Sequence, residues 1–395
     1  MRILFTADWH LGYTLMGANR QERLGDQQRQ LGIIARYLEA HDVDVLAIAG
    51  DIFEAQDRGA AHAAVRAMVS SLSPALERGL RIVGVAGNHD RDYFIDTANA
   101  WLSAAAPAGR EPIVLRTRPD LVTLEAAGQH VNFVLLPFPT AFRYEATSAD
   151  AGGVAQRHEE MARLYIETME ALRKRAAEMR LPTVLLTHVT VTGTTVKAHR
   201  IAPRDDVVVP RGAFPSFEIT VIGHIHKAER LGGDHFYYVG ALDRMDVGER
   251  DYEPRVLLAD IGPEGVREVT SLPLDPTPFA ALTAHDEESL AAAAASLERR
   301  EETLVKLTLQ VPQGTYTAPL LEQARQLFPR LYGNVEHDWT DAEVPPASVD
   351  GLNPANVEET VRRYLEQQVS DEDERAALMT LVHELRAEIA AGVDE

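Results

Sequence analysis

Side chains able to ligate a metal or move a proton recur at the ends of five apolar runs in this 395-residue chain. Ile82 to Ala86 leads through Gly87 into Asn88, His89 and Asp90. That run is short and β-branched enough for a buried strand, and polar groups just past a strand end belong to a ligand crevice. The first run, from Arg2, ends in Asp8 and His10. Residues two apart share one face of an extended strand, so this pair can grip one ion together. Val43 to Ala49 stops at Gly50-Asp51, where glycine permits the tight turn that aims Asp51 at the same crevice. Thr183 to His188 ends in an imidazole, and Glu218 to His226 ends in Gly223-His224-Ile225-His226. The same two-residue period turns His224 and His226 to one face.

Each motif alone has a plainer reading. An aspartate after a strand often caps a helix or forms a turn, and a lone histidine on an apolar run is more often a satisfied core residue. Five such coincidences together are better explained as one site. It collects Asp8, His10, Asp51, Asn88, His89, His188, His224 and His226, five of the chain's fourteen histidines among them. Carboxylates, imidazoles and an amide without thiolates suit Mn²⁺, Fe²⁺ or Zn²⁺. These are too many ligands for one ion, and a carboxylate can bridge two. Two ions ~3.5–4 Å apart can clamp a phosphoryl group, activate a water and stabilise a leaving oxygen.

The elements that position these residues follow from periodicity. Helical spacing marks residues 20–40, 60–78, 94–105 and 158–179, and further strands fall at His130 to Pro137, Phe236 to Val239 and Arg255 to Ile261. Residues 192–210 look like an irregular surface loop. Pro273, Pro276 and Pro278 mark a boundary, after which residues 279–339 alternate helix and strand as a small α/β domain. A linker spans 341–353, and two amphipathic helices fill 354–395. Val357, Val361, Tyr364 and Leu365 stripe the first, and Leu378, Leu381, Val382, Leu385 and Ile389 the second. Such helices are marginal alone and must dock on the chain's own body or on a partner.

Composition bounds the function. A net charge of −21 disfavours holding nucleic acid on a broad basic face, so metals, local basic patches or a partner must offset it. Two divalent ions against two carboxylates would leave the pocket locally positive. The absence of cysteine excludes disulfides and thiolate sites. No run approaches the ~18 apolar residues of a membrane span, and no signal-peptide layout follows Met1. A soluble cytoplasmic protein, nucleoid-associated if it acts on DNA, is therefore expected, with no membrane partner.

Asp8-x-His10, Gly50-Asp51, Gly87-Asn88-His89-Asp90, His188 and Gly223-His224-x-His226 resemble the calcineurin-like metallophosphoesterases. In order and spacing they are most similar to the nuclease subunits of bacterial nuclease–ATPase complexes. The likeness continues through Tyr238-Val239-Gly240 and, more loosely, to the tail. It implies an α/β fold, a two-sheet sandwich flanked by helices over 1–272, with a capping domain over 273–340. Asp8, His10, Asp51 and His226 would bind one metal, and Asp51, Asn88, His188 and His224 the second, with Asp51 bridging. His89 would contact the scissile phosphate and help protonate the leaving group, with Asp90 orienting it. The implied reaction is hydrolysis of DNA phosphodiesters, as exonuclease and endonuclease, with Mn²⁺ as cofactor. The implied setting is processing of double-strand breaks and hairpins by a homodimer whose terminal helices bind the ATPase.

Two positions depart from that pattern. Archaeal and eukaryotic relatives carry a second active-site histidine where this chain has Glu54, and no catalytic part is assigned to the carboxylate. Ala241 replaces a common serine. A small-molecule phosphodiesterase would use the same metals but leave residues 273–395 unexplained. A scaffold with a degenerate site conflicts with the complete ligand set.

Overall fold

Alternation along single strands divides the molecule into layers. A computed structural model of the chain describes residues 1–15, 17–54, 58–104, 113–145, 153–196, 199–200, 206–233, 235–340, 361–362, 364–365, 369 and 372–391. Twelve strands form two six-stranded sheets. In chain order they are β1 (Arg2–Thr6), β2 (Val45–Ala49), β3 (Arg81–Val85), β4 (Ile113–Arg116), β5 (Asp120–Ala126) and β6 (Gln129–Leu136). Then come β7 (Thr183–His188), β8 (Ile219–Gly223), β9 (Glu229–Arg230), β10 (Phe236–Tyr238), β11 (Arg255–Gly262) and β12 (Gly265–Pro273). The first sheet runs β12-β11-β1-β2-β3-β4 and the second β9-β10-β8-β7-β6-β5. Within them β1 to β4 are mutually parallel, as are β6, β7, β8 and β10.

Ile3, Phe5, Val45, Val83 and Val85 meet Phe133, Leu135, Val184, Leu186 and Val221 between the sheets. The opposite face of the first sheet, with Leu4, Leu46, Ile48 and Ile82, packs under α1 (Arg20–Ala40), α2 (Arg58–Glu77) and α3 (Asp92–Ala104). Val134, Leu136, Leu185 and Ile222 of the second sheet pack under α4 (Val154–Glu178) through Met161, Tyr165 and Met169. The result is the expected sandwich of two sheets between helices. Each large side chain buried in it contributes about 1.5–3 kcal/mol.

Two features were not anticipated. Strands β4 and β5 escaped the periodicity reading, and β5 is an edge strand whose side chains are mostly half-buried, which blurs any alternation. The stretch 192–210 is not all surface loop: Val207, Val208 and Val209 are buried, and Val208–Val209 pairs with Thr190–Val191. Val207 and Val209 find an apolar seat in the cluster beneath α4.

The helix–strand alternation after residue 278 is present as β13 (Phe279–Ala284), α5 (Glu287–Ala295), β14 (Leu304–Pro312), α6 (Ala318–Leu327) and β15 (Glu336–Thr340), with strand order β13-β14-β15. Leu290, Leu307, Leu309, Leu320 and Phe328 form its own core. Phe279, Leu304 and Tyr332 pack with Leu15, and the buried Arg330 guanidinium donates to Asp26 of α1 at 2.6 Å. One compact unit takes in Met1–Val311 and Thr315–Trp339; the second takes in Pro312–Gly314 and Thr340–Glu395. In the second, α7 (Glu372–Ala391) corresponds to the expected last helix. The expected linker and most of the first tail helix, Val357 included, lie outside the described residues. No described helix is long and apolar enough to cross a membrane.

Candidate metal centre

The C-terminal ends of β1, β2, β3, β7 and β8 converge, and every residue singled out from the sequence lies there. Glycines let these strand ends close up. A Cβ on Gly50 would collide with the His188 ring, one on Gly87 with the Asp51 carboxylate, and one on Gly223 with the Ala49 carbonyl oxygen. Asp8, His10, Asp51 and His224 all adopt positive φ, at 49°, 44°, 47° and 89°. Each such non-glycine residue stores about 1–3 kcal/mol of strain, which the surrounding fold must offset.

Asp8, His10 and His226 form one group, their ligand atoms within 4.8 Å of one another. Nδ1 of His10 lies 2.7 Å from Glu54 Oε2, and Nδ1 of His226 lies 2.8 Å from Glu249 Oε1. With both Nδ1–H groups donating to carboxylates, both Nε2 atoms present lone pairs, and these face each other at 3.1 Å. Two lone pairs at that separation repel unless a cation lies between them, and carboxylate-backed imidazoles are the usual supports of a metal ligand. Burial lowers the His226 imidazole, but Glu249, Asp8 and Asp51 hold it up at about 9.

Asp51, His188 and His224 form a second group. Nδ1 of His188 donates to the Ala49 carbonyl at 2.8 Å, leaving Nε2 3.3 Å from Asp51 Oδ2 and 3.1 Å from Asn88 Oδ1. His224 places Nδ1 2.9 Å from Asn88 Oδ1 and Nε2 2.6 Å from Asp206 Oδ2. Burial lowers His188, yet Asp51, Asp8 and the Ala49 carbonyl raise it to about 9. Asp51 Oδ2 also lies 3.6 Å from His10 Nε2, so one carboxylate oxygen faces both groups. Burial pushes that carboxyl up, but His188, His10 and His89 hold it well below the usual carboxylate range. An arrangement of two imidazole–carboxylate groups sharing one oxygen fits two divalent ions.

His89 stands beside both groups, its ring 5.0 Å from that of His10. Its backbone N–H donates to Asp51 Oδ1 at 2.8 Å, and its Nδ1 lies 3.1 Å from Glu54 Oε1. Glu54 therefore spans His10 and His89 with its two oxygens. Burial raises that carboxyl, but the two imidazole bonds take it down to about 2. His89 in turn is raised by the Glu54 bond against the effect of burial. The orienting carboxylate is thus Glu54, to which sequence reasoning gave no role. Asp90, expected to orient His89, instead accepts the backbone N–H groups of Gly87, Ile52 and Phe53 at 2.8, 3.1 and 2.8 Å. Burial and the nearby Asp51 push Asp90 up to about 6. It shapes the loop that carries Asn88 and His89.

Other supporting residues were also missed. Arg143 is buried and donates to the carbonyls of Gly87 and Asp90, both at 2.8 Å, and to Asp92 at 2.9 Å, clamping the same loop. Phe138 packs its ring against His188 and His224. Asp206 and Glu249 come from segments with no periodic signal. The one hint for Asp206 was its position directly before an apolar Val207-Val208-Val209 run, odd for a surface loop.

A fold of two packed sheets with metal-ligand groups at their strand ends defines a class, and comparison agrees. The chain belongs to the calcineurin-like phosphoesterase family, whose model matches residues 1–228. It is similar to the SbcD component of nuclease SbcCD from Rhodobacter capsulatus, at 29% identity over 76% of each chain. It is also similar to the SbcD component of nuclease SbcCD from Escherichia coli K12, at 25% identity over 98% of this chain and 99% of that one. Among solved structures, a dimetal phosphatase from Danio rerio matches 70% of this chain and 99% of its own, with a TM-score of 0.37 and 10% identity.

Proposed function

We propose that this chain is the nuclease component of an SbcCD-type complex, hydrolysing DNA phosphodiesters with two Mn²⁺ ions. The observation that carries the reading is the pair of imidazole–carboxylate groups sharing Asp51, with an oriented His89 beside them. Asp8, His10, Asp51 and His226 would hold one ion, and Asp51, Asn88, His188 and His224 the other. Two bound ions would polarise the scissile phosphate and lower the pKa of the attacking water. Glu54 fixes His89 with Nδ1–H engaged, so Nε2 is the atom left for substrate. The raised affinity of His89 for a proton suits it to protonate the leaving oxygen. Asp90 and Arg143 act only through the loop they hold.

Similarity to SbcD over nearly the whole chain supports SbcC as the ATPase partner, acting on double-strand breaks and hairpins from the cytoplasm and the nucleoid. The helices of 354–395 are the segment we assign to SbcC, and a homodimer is the assembly. Half-exposed Tyr364 and Leu381 in that segment are apolar surface suited to a partner's groove. The test is cleavage of end-labelled linear duplex DNA with Mn²⁺, beside an Asp51→Asn control, with bis-p-nitrophenyl phosphate and cyclic AMP in parallel. Metal-dependent shortening that the control lacks supports the nuclease. Hydrolysis of the small substrates alone, with or without added SbcC, would replace it with a small-molecule phosphodiesterase.

A further inference from the structure

Two clefts open beside the metal centre. On the His224 side a cleft of about 520 Å³ is lined by Phe138, Ala141, Met161 and Val207, but the Phe138 ring is already packed on His188 and His224. On the His89 side a cleft of about 380 Å³ is lined by Phe53, Glu54, His89, Arg91, Tyr93 and Phe94. Its rings form a stair: Phe94 lies 5.3 Å from Phe53, and Tyr93 lies 5.4 Å from Phe94 at 64°. Tyr93 is 62% exposed, so most of its ring surface is open to solvent. An exposed aromatic ring in one cleft with an exposed arginine and a histidine beside the ligand groups is a combination that can bind single nucleotides by stacking and charge.

We infer that Tyr93 and Phe94, with Arg91, form a subsite for an unstacked nucleobase of the leaving nucleotide. The inference rests on the nuclease reading and names its substrate more closely. The leaving side follows from His89, which lines this cleft and is the group placed to protonate the leaving oxygen. An unstacked base follows from geometry: inside a duplex both faces of a base are covered by its neighbours, so an interior base can lie on Tyr93 only once it is frayed, looped or single-stranded. The subsite therefore makes local melting next to the cut bond a requirement, and it favours unpaired ends and hairpin loops over the interior of a duplex.

The test uses an end-labelled single-stranded oligothymidylate carrying one abasic residue, cut by the full-length protein with Mn²⁺. Methyl p-nitrophenyl phosphate, which has no base, is run alongside. The wild-type protein should cut the bond whose leaving nucleoside is abasic about tenfold or more slowly than the intact bonds. Tyr93→Ala should lower kcat/KM on intact oligonucleotide, relative to methyl p-nitrophenyl phosphate, by a similar factor, mainly through KM, and level the abasic pause. Tyr93→Trp should restore both. Even cutting through the abasic residue by the wild-type protein overturns the subsite. So does a pause only when the abasic residue is on the other side of the bond, or one that survives Tyr93→Ala. Hydrolysis of methyl p-nitrophenyl phosphate with no cutting of any oligonucleotide overturns the nuclease reading itself, and the subsite with it.

Discussion

The two ligand groups share one carboxylate oxygen but are built differently behind it. Around Asp8, both imidazoles lean on carboxylates, His10 on Glu54 and His226 on Glu249. Around Asp51, His224 leans on Asp206, whereas His188 leans on the neutral Ala49 carbonyl and the amide of Asn88 supplies a further donor. Carboxylate backing raises the basicity of a ligating imidazole and fixes its orientation. The Asp8 group should therefore hold its ion more tightly, and the Asp51 group should hold the more exchangeable one. The lesson is that donor type alone does not rank two sites; the atoms behind the donors do.

The comparison can be broken most severely at what the groups share. Asp51→Asn should abolish both steps of a Mn²⁺ titration and reduce phosphodiester hydrolysis to the buffer blank, as read by calorimetry and a nuclease gel. Retention of the tight step would show that Asp51 belongs to one group alone. His89→Ala should leave both ions in place by elemental analysis while costing about 10²–10⁴ in turnover, the usual worth of a positioned acid. Metal loss in that variant would make His89 a ligand.

A finer cut separates the groups from each other. Glu249→Gln should weaken the tight step by about 10–100-fold and spare the weak one, and Asp206→Asn should do the reverse. Equal effects of both variants on both steps would remove the distinction. A graded effect, about tenfold at a single pH step, is expected from pH. With His226 and His188 each held near pKa 9 when ion-free, an entering ion must displace a proton from each below that pH. Apparent affinity at each step should rise about tenfold per unit of pH and level off above about 9, measured by competition with a chelator. An affinity flat between pH 6.5 and 8.5 would mean that the imidazoles are already neutral.

Much of the site was legible because metal-ligating side chains recur just past the ends of apolar runs and tight turns demand glycine. Asp8 with His10, and His224 with His226, are pairs that an extended backbone would turn the same way. Instead β1 ends at Thr6 and β8 at Gly223, Asp8, His10 and His224 take left-handed φ, and His224 and His226 fall in different groups. Gly50, Gly87 and Gly223 flagged the places where strand ends crowd together, and the contacts a Cβ would make there explain why no larger residue serves. Glu54 was visible but misjudged, since its value lies in reaching two imidazoles, a fact of position rather than of residue type. Asp206, Glu249, Phe138 and Arg143 left almost no trace, because each sits in a connection without periodicity and acts across a gap that the chain crosses only when folded.

The two-sheet architecture came from the family resemblance of the chain's motifs, while the sequence by itself determined the strand ends that carry chemistry and the ligand types that suit divalent ions. Those follow from local rules, namely alternation, helical spacing and glycine's freedom, which operate within a few residues. The tertiary structure alone decided which nitrogen of each histidine is free, which carboxylate orients His89, and what role Asp90 plays. Such choices depend on hydrogen bonds between segments as distant as His10 and His226, or Arg143 and the Gly87–Asp90 loop. They are settled by the packing of the two sheets, because only that packing brings the partners within hydrogen-bonding reach.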